Sequence, residues 1–282
     1  MSEPGDGGPV VDDHCHLDPD RGRGIEAVRE FARAGGTHLL IVNQPSWKLG
    51  VEPDVGPDFE SVFETTTEIA ERATEVLPGR AWPVLGVHPT LISRLVDERG
   101  VAPSAAGELM RAGLDVAAEY ASDGPAVALK SGRPHYEVSD AVWTASNETL
   151  RHALGLAAET GVACQLHTES TDDLAEVGTW AEDVGLARER VVKHYAGGPC
   201  AGVTPSVIAR KDAIAAAVES GGPFMLETDF LDDPDRPGAV LGPKTVPRRT
   251  AWLREAGHEE AVETAHIETP RRVYGIDTRA DR

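Results

Sequence analysis

The chain has 282 residues, of which 40% are apolar, and its 27 basic and 47 acidic residues give a formal net charge of −20. This length and composition predict a globular protein with a sizeable core and exclude a wholly disordered chain. No apolar run approaches the roughly 20 residues that a membrane-spanning helix needs, and the N-terminus lacks the basic and apolar segments of a secretory signal. We therefore expect a cytoplasmic protein that does not enter a membrane.

Short apolar runs rich in β-branched residues alternate along the chain with longer amphipathic stretches. The predicted strands are Val10–Leu17, Thr37–Val42, Trp82–His88, Ala126–Ser131, Ala163–Thr168, Arg190–Tyr195, Ser206–Arg210 and Phe224–Asp229. The predicted helices are Gly24–Ala34, Phe59–Leu77, Gly107–Ala121, Ser139–Thr160, Asp172–Val184, Lys211–Glu219 and Val246–Ala256. This alternation predicts an α/β fold, a (β/α)₈ TIM barrel. Neither a repeat nor a low-complexity linker divides the chain, so we predict a single domain over residues 1–282.

Two segments rich in proline and glycine follow predicted strands and are expected to be long loops. They are Gln44–Pro57, after the second strand, and Asp229–Arg249, after the last. In such a barrel, the loops that follow strands lie on the face where active sites form. Each segment is therefore either a substrate-contacting loop or a solvated acidic loop.

The strongest local signal for a metal site is the sequence Asp-Asp-His-Cys-His at the end of the first predicted strand. Because side chains alternate across a strand, His14 and His16 point to one side and Cys15 to the other. Three further candidate ligands end later predicted strands: His167, His194 and Asp229. The carboxyl ends of parallel strands meet at one rim, so these imidazoles and this carboxylate predict a site for divalent metal.

This arrangement resembles the amidohydrolase superfamily and, within it, the TatD-related metal-dependent hydrolases. Other segments that carry the resemblance are Leu85–Pro89, Gly132–Tyr136 and Glu268–Gly275. The resemblance extends from Val10 to about Ile276. It implies two divalent cations, with Zn²⁺ as the first expectation and Mn²⁺ or Fe as alternatives. The ligands that it implies are His14, His16 and Asp229 for one cation, and His167 and His194 for the other.

One position departs from the family pattern, because Lys130 stands where members carry a bridging glutamate at the end of strand four. Two cations would repel an ammonium group at that point. Three interpretations are open. Lys130 reacts with CO₂ to give a carbamate that bridges both metals, as in the phosphotriesterase and dihydroorotase branches. It stays unmodified beside a single metal. It is a structural lysine paired with an acid.

The resemblance implies a metal-dependent hydrolase in which a hydroxide held by both metals attacks an ester-type bond, with Asp229 as the catalytic proton acceptor and donor. The candidate substrate-binding residues are His88, Arg133, His135 and Tyr136. For Arg133 a salt bridge that anchors its loop is an equal alternative. The alternative function for the whole chain is a non-catalytic metal-binding barrel with a disabled binuclear centre.

The acidic charge bears on the substrate and on the source of the protein. A field of this sign opposes binding of nucleic acid at low ionic strength. Together with Lys130 it favours a small-molecule phosphoester, lactone or other ester, whereas the family resemblance favours a deoxyribonuclease acting on DNA. The excess of acid, with only five lysines in the chain, also resembles proteins adapted to high salt and predicts a halophilic source.

Two further acids lie close to candidate ligands in the sequence. Glu169 follows His167 closely enough to orient an imidazole from outside the metal site. Glu227 precedes Asp229 by two residues, so the two share one face of their strand. If it is buried in the barrel, Glu227 needs a polar partner.

Overall fold

Nine parallel strands form one curled sheet in the computed structural model, which describes residues 7–280. In chain order they are β1 (Val11–His16), β2 (His38–Val42), β3 (Ala81–Gly86), β4 (Ala128–Gly132), β5 (Ala163–His167), β6 (Val191–Ala196), β7 (Thr204–Ile208), β8 (Met225–Glu227) and β9 (Phe230–Leu231). Each strand from β1 to β7 pairs in parallel with its successor in this series. All eight predicted strands are present, with ends shifted by a few residues.

The last predicted strand is split into two pieces, and the split closes the barrel. β8 pairs with β7, whereas β9 pairs with β1. Between them, the Thr228 amide and hydroxyl donate to the Asp12 carboxylate at 2.9 and 2.6 Å. The Asp229 amide donates to the His14 carbonyl at 3.0 Å. The predicted (β/α)₈ barrel is confirmed, with its eighth strand interrupted at a candidate metal ligand.

Helices connect consecutive strands over most of the barrel. They are α1 (Ile25–Arg33), α2 (Glu60–Thr74), α3 (Leu91–Ser93), α4 (Pro103–Asp123), α5 (Asp140–Thr160), α6 (Ala175–Asp183), α7 (Lys211–Ser220), α8 (Thr245–Glu255), α9 (Glu259–Glu263) and α10 (Thr269–Tyr274). Residues 94–98 and 264–268 form π-helical turns after α3 and α9. All seven predicted helices are present, and α3, α9 and α10 were not predicted because each is shorter than two turns. No helix within residues 7–280 is long and apolar enough to cross a membrane.

The two predicted loops contain regular structure. Ser46–Leu49 is a 3₁₀ helix within the first. The prediction of a loop over Asp229–Arg249 is wrong at both ends, because β9 starts at Phe230 and α8 starts at Thr245. Phe230–Leu231 forms a strand because it pairs with the edge of β1. β1 is distant in the sequence, so the residues around 230 do not by themselves predict this strand.

Apolar side chains fill the barrel at the end where the strands begin. Val11, Ala128 and Val192, from β1, β4 and β6, belong to one buried cluster with Val273 and Tyr274 of α10. The C-terminal helix therefore closes this end of the barrel. The polar residues that the strands bring together lie at the opposite end, where loops approach from several strands.

Candidate metal centre

The imidazoles of β1 have their lone pairs directed at each other. The His14 Nδ1–H donates to Gln165 Oε1 at 2.7 Å, and the His16 Nδ1–H donates to the Val42 carbonyl at 2.9 Å. Each Nε2 is therefore unprotonated, and the two Nε2 atoms are 3.2 Å apart. Asp229 Oδ1 lies 3.9 and 3.8 Å from them. Two facing lone pairs and a carboxylate oxygen repel one another unless a cation lies between them, so this donor set fits a divalent metal.

A buried network fixes the His14 tautomer. Gln165 Nε2 donates to the Asp13 carbonyl at 3.0 Å and to the Tyr274 hydroxyl at 2.8 Å, which leaves its oxygen for His14. The Tyr274 hydroxyl donates in turn to Asp13 Oδ2 at 3.2 Å. Burial lowers the pKa of His14 well below its usual range and that of His16 to about 4, so both rings are neutral, as metal ligands must be. Gln165 was not among the predicted site residues, although its position two residues before His167 places both on one strand face.

A second imidazole pair is formed by β5 and β6. The His194 Nδ1–H donates to Glu227 Oε1 at 2.9 Å, so its Nε2 carries the lone pair, 3.3 Å from His167 Nδ1. The same Glu227 oxygen accepts from the Tyr195 amide at 2.9 Å. The partner that a buried Glu227 requires is therefore a candidate metal ligand. His167 Nε2 lies 2.8 Å from His135 Nδ1.

Lys130 lies next to both imidazole pairs. Its Nζ is buried and lies 3.5 Å from His14 Nε2. The His14 and His194 rings stack with centroids 3.9 Å apart, so the pairs are adjacent. Burial lowers the pKa of the Lys130 ammonium, and the Glu227 and Asp229 carboxylates oppose this effect. The structure thus brings together all six residues predicted to bind metal: His14, His16, Lys130, His167, His194 and Asp229.

The two halves of the site differ in how complete they are. Among residues 7–280, His14, His16 and Asp229 form one group of three donors close enough to share an ion, and His14, His194 and Glu227 form another. His167 belongs to neither group, so within the described residues the pair His167 and His194 is not part of a complete set of three donors. Lys130 lies beside this incomplete half of the site.

These donors open into a cavity of about 260 Å³ at the end of the barrel where the strands finish. His88, a predicted substrate-binding residue, lines this cavity. The Thr90 amide donates to His88 Nδ1 at 3.2 Å, so the ring carries its proton on Nε2. Burial lowers the pKa of His88 to about 3. His88 is therefore a neutral hydrogen-bond donor in the cavity wall.

Arg133, another predicted substrate-binding residue, forms its contacts away from the cavity. Its Nε donates to Glu169 Oε2 at 2.8 Å, its Nη2 contacts the other carboxylate oxygen, and its guanidinium lies 4.7 Å from the Trp143 ring centre. Arg133 is buried and does not line the cavity of the metal donors. This geometry matches the alternative of a loop-anchoring salt bridge. Glu169 pairs with Arg133 and not with an imidazole.

The other two predicted substrate-binding residues lie at the edge of the site. His135 contacts His167 and lines a neighbouring cavity of about 340 Å³ that also contains His194 and Asp229. The exposed Tyr136 donates its hydroxyl to Ser93 Oγ at 2.9 Å. His135 therefore reaches the candidate metal ligands, whereas the Tyr136 hydroxyl is bound to α3.

A parallel barrel that gathers imidazoles and a carboxylate with facing lone pairs, next to a cavity at its carboxyl end, has the architecture of a metal-dependent hydrolase. The chain belongs to the TatD-related DNase family, whose model matches residues 11–275. The predicted resemblance to TatD-related hydrolases is confirmed.

Other proteins are similar to this chain over nearly its whole length. An uncharacterized protein of Methanocaldococcus jannaschii is 34% identical over 288 residues, covering 95% of this chain and 96% of that protein. An organophosphorus hydrolase from Deinococcus radiodurans has a TM-score of 0.59 at 17% identity, with 94% of this chain and 92% of that chain covered. A TatD-like protein from Archaeoglobus fulgidus has a TM-score of 0.58 at 18% identity, with coverages of 94% and 100%. Such low identities to solved structures establish a shared fold only.

Proposed function

We propose that this protein hydrolyses an ester-type bond of a small molecule, with a phosphoester as the first candidate, and that a carbamate on Lys130 joins two divalent cations. The observation that carries the proposal is the position of Lys130 Nζ, buried 3.5 Å from His14 Nε2 and adjacent to both imidazole pairs. Burial favours the neutral amine, which is the form that reacts with CO₂. The nitrogen lone pair forms the Nζ–C bond while one C=O π bond of CO₂ opens onto its oxygen. The nitrogen then loses one proton to solvent, and the product is an anionic carbamate.

The residues would divide between the cations as the family resemblance implies. His14, His16 and Asp229 would hold one cation, and His167 and His194 the other, with the carbamate as their shared ligand. Mixed imidazole and carboxylate donors suit Zn²⁺ first, with Mn²⁺ and Fe as alternatives. When bound, such cations lower the pKa of a water molecule and stabilise the negative charge that develops on the substrate.

The chain itself supplies the proton transfers. The Asp229 carboxylate is held at the break between β8 and β9 by its backbone bond to the His14 carbonyl. Burial raises the pKa of Asp229, which suits it to take a proton from the attacking water and return it to the leaving group. His88, with its proton on Nε2, would donate a hydrogen bond to a substrate oxygen.

Cavity size and charge favour a small substrate over a polymer. The cavity of about 260 Å³ fits a small molecule, and a net charge of −20 opposes approach of a long polyanion. The name of the structurally similar organophosphorus hydrolase supports phosphoester chemistry. DNA, the substrate in the family name, is the second candidate.

The activity test compares methyl 4-nitrophenyl phosphate, a lactone and single-stranded DNA in molar salt, with metal-stripped and zinc-loaded protein. We expect turnover of the phosphoester that requires metal. Cleavage of DNA alone would assign the family activity instead. Stoichiometric zinc binding without turnover of any substrate would identify a non-catalytic metal-binding barrel.

The carbamate has its own test. Native mass spectrometry in bicarbonate is expected to show a labile gain of one CO₂, which Lys130→Met abolishes together with binding of the second zinc. Lys130→Glu, which supplies a permanent carboxylate, is expected to keep two zinc ions. Lys193→Met removes another buried lysine of the barrel and serves as the matched control. Two zinc ions without bound CO₂, or a gain that persists in Lys130→Met, would contradict the carbamate.

A further inference from the structure

The cavity wall that faces the metal donors is built by the segments after β2 and β9. A salt bridge between Lys48 Nζ and Asp233 Oδ2, at 2.8 Å, joins them. Gln44, Trp47 and Arg236 line the same cavity as His16 and the other candidate ligands. Residues far apart in the sequence thus form one wall, and the metal-binding role accounts for none of the three.

Arg236 is the cation of this wall that has no partner. Its acidic neighbours are bound to other cations, Asp233 to Lys48 and Asp235 to Arg21 at 2.9 Å. Its guanidinium makes no hydrogen bond or ion pair with another side chain in the part of the chain that the structure describes. Arg236 nevertheless lies at the site, because it lines the same cavity as Asp229 and Lys130. A guanidinium offers several donors that fit the oxygens of a phosphate or carboxylate.

Gln44 adds a second polar group that lacks a partner. Gln44 is only 4% exposed, and its Oε1 is buried without a hydrogen-bond partner among residues 7–280. A buried amide oxygen without a donor costs free energy. Gln44 also lines the cavity, which places its amide beside any molecule bound there.

Trp47 supplies a flat surface of fixed orientation. Its ring lies edge-to-face with His88, with centroids 5.8 Å apart, and the Arg94 guanidinium lies 5.2 Å from its centre. Packing on two sides restricts its rotation. A ring held in this way can stack against a planar group of a ligand.

We propose that Gln44, Trp47 and Arg236 form a substrate subsite for an ester that also carries a planar, hydrogen-bonding group and a second anionic group remote from the scissile bond. The scissile group would lie at the metal donors, the planar portion against Trp47 and Gln44, and the remote anion at Arg236. This subsite rests on the proposed function for what happens at the reacting end, and it adds the chemical class of the rest of the substrate.

The test measures binding and needs no turnover. Zinc-loaded protein is titrated by calorimetry with thymidine 5′-monophosphate and thymidine 3′,5′-bisphosphate, which differ only in one remote phosphate. We expect the bisphosphate to bind about tenfold more tightly, as one charge-assisted contact allows. Arg236→Gln is expected to abolish that preference. Trp47→Leu and Gln44→Met are expected to weaken both ligands equally, because both ligands contain the thymidine.

Arg248→Gln is the matched control, because Arg248 is an exposed arginine of α8 that does not line this cavity. It removes the same charge and is expected to keep the preference. Equal affinities in the unaltered protein, or an equal loss in both arginine variants, would overturn the subsite. Phosphoester turnover with equal affinities would leave the proposed function standing without the subsite. A preference for the bisphosphate that depends on Arg236, in a protein that turns over no substrate, would support the subsite and contradict the proposed function.

Discussion

At the scale of single residues, the tautomer of each imidazole determines what the site can bind. Glu227 sets one of these tautomers by accepting from His194 Nδ1, and the same oxygen holds the Tyr195 amide in a left-handed conformation with φ 57°. Partners of this kind orient metal ligands and strengthen them as donors. The glutamate is therefore a positioning residue for the second imidazole pair.

Replacing Glu227 by glutamine keeps an acceptor oxygen for the His194 Nδ1–H but removes the carboxyl group, the partner that strengthens an imidazole as a metal ligand. We expect Glu227→Gln to weaken zinc binding about tenfold, at the low end of the effect of such partners. Competition with a chromogenic chelator at fixed pH measures the affinity. Glu169→Gln, an equivalent change at an acid paired with Arg133, should leave it unchanged. Unaltered affinity in Glu227→Gln would remove the positioning role.

Asp229 is expected to separate metal binding from catalysis. Asp229→Asn keeps an oxygen ligand beside His14 and His16, so most of the zinc should remain bound. The amide cannot accept the proton of the attacking water, and turnover should fall by a factor of about 10² or more. Zinc content and kcat are measured on the same preparation. Full activity in this variant would assign the proton transfer to another group.

At the scale of secondary-structure elements, the positions at which the strands end could be predicted from the sequence. Apolar runs that give way to polar residues located His167 and His194 at the ends of their strands, and the fold then brought them together. The break between β8 and β9 was not predictable, because it depends on hydrogen bonds between Thr228 and Asp12, 216 residues apart. The sequence also did not determine where the Arg133 side chain points, because its partner Glu169 lies on a neighbouring loop. Local patterns indicate elements, whereas partners distant in sequence determine how those elements end.

One tertiary contact between elements carries a pH dependence. His266, in the π-helical turn after α9, is fully buried; its Nδ1 accepts from the Val11 amide at 3.0 Å, and its Nε2–H donates to Thr250 Oγ1 at 2.8 Å. Burial lowers its pKa to about 3 from the ordinary 6.5. The folded chain therefore keeps the ring neutral while the unfolded chain protonates it. The stability that this neutral ring contributes is complete above pH 6.5 and is lost progressively as the pH falls towards 3.

His266→Gln can keep both hydrogen bonds and removes the titration. Between pH 6 and pH 4, the free energy of unfolding of the unaltered protein should fall more steeply than that of the variant, by about 1.4 kcal/mol per pH unit. Urea unfolding of the metal-free proteins measures this difference. His258→Gln, at an exposed histidine, provides the control. Parallel pH profiles for His266→Gln and the unaltered protein would show that His266 titrates alike in both states.

At the scale of the whole molecule, we expect surface charge to oppose folding more than ion pairs support it. The net charge of −20 is spread over a closed barrel, and exposed ion pairs contribute little each. Acids such as Glu159, Glu219 and Glu255 are exposed and form no ion pair within residues 7–280. The compact state concentrates this charge, so it is destabilised by self-repulsion, which salt screens.

Raising NaCl from about 0.1 to 1 M shortens the Debye length from about 10 to 3 Å, and the urea midpoint of unfolding should rise with it. Replacing Glu159, Glu219 and Glu255 by glutamine changes the net charge from −20 to −17. This variant should be the more stable protein at low salt, and the difference should vanish at 1 M because the removed repulsion is already screened there. Sucrose, which acts by exclusion from the surface rather than by screening, should stabilise both proteins equally. A midpoint that falls with salt would mean that the ion pairs outweigh the repulsion, and the acidic surface would then need an explanation other than adaptation to high salt.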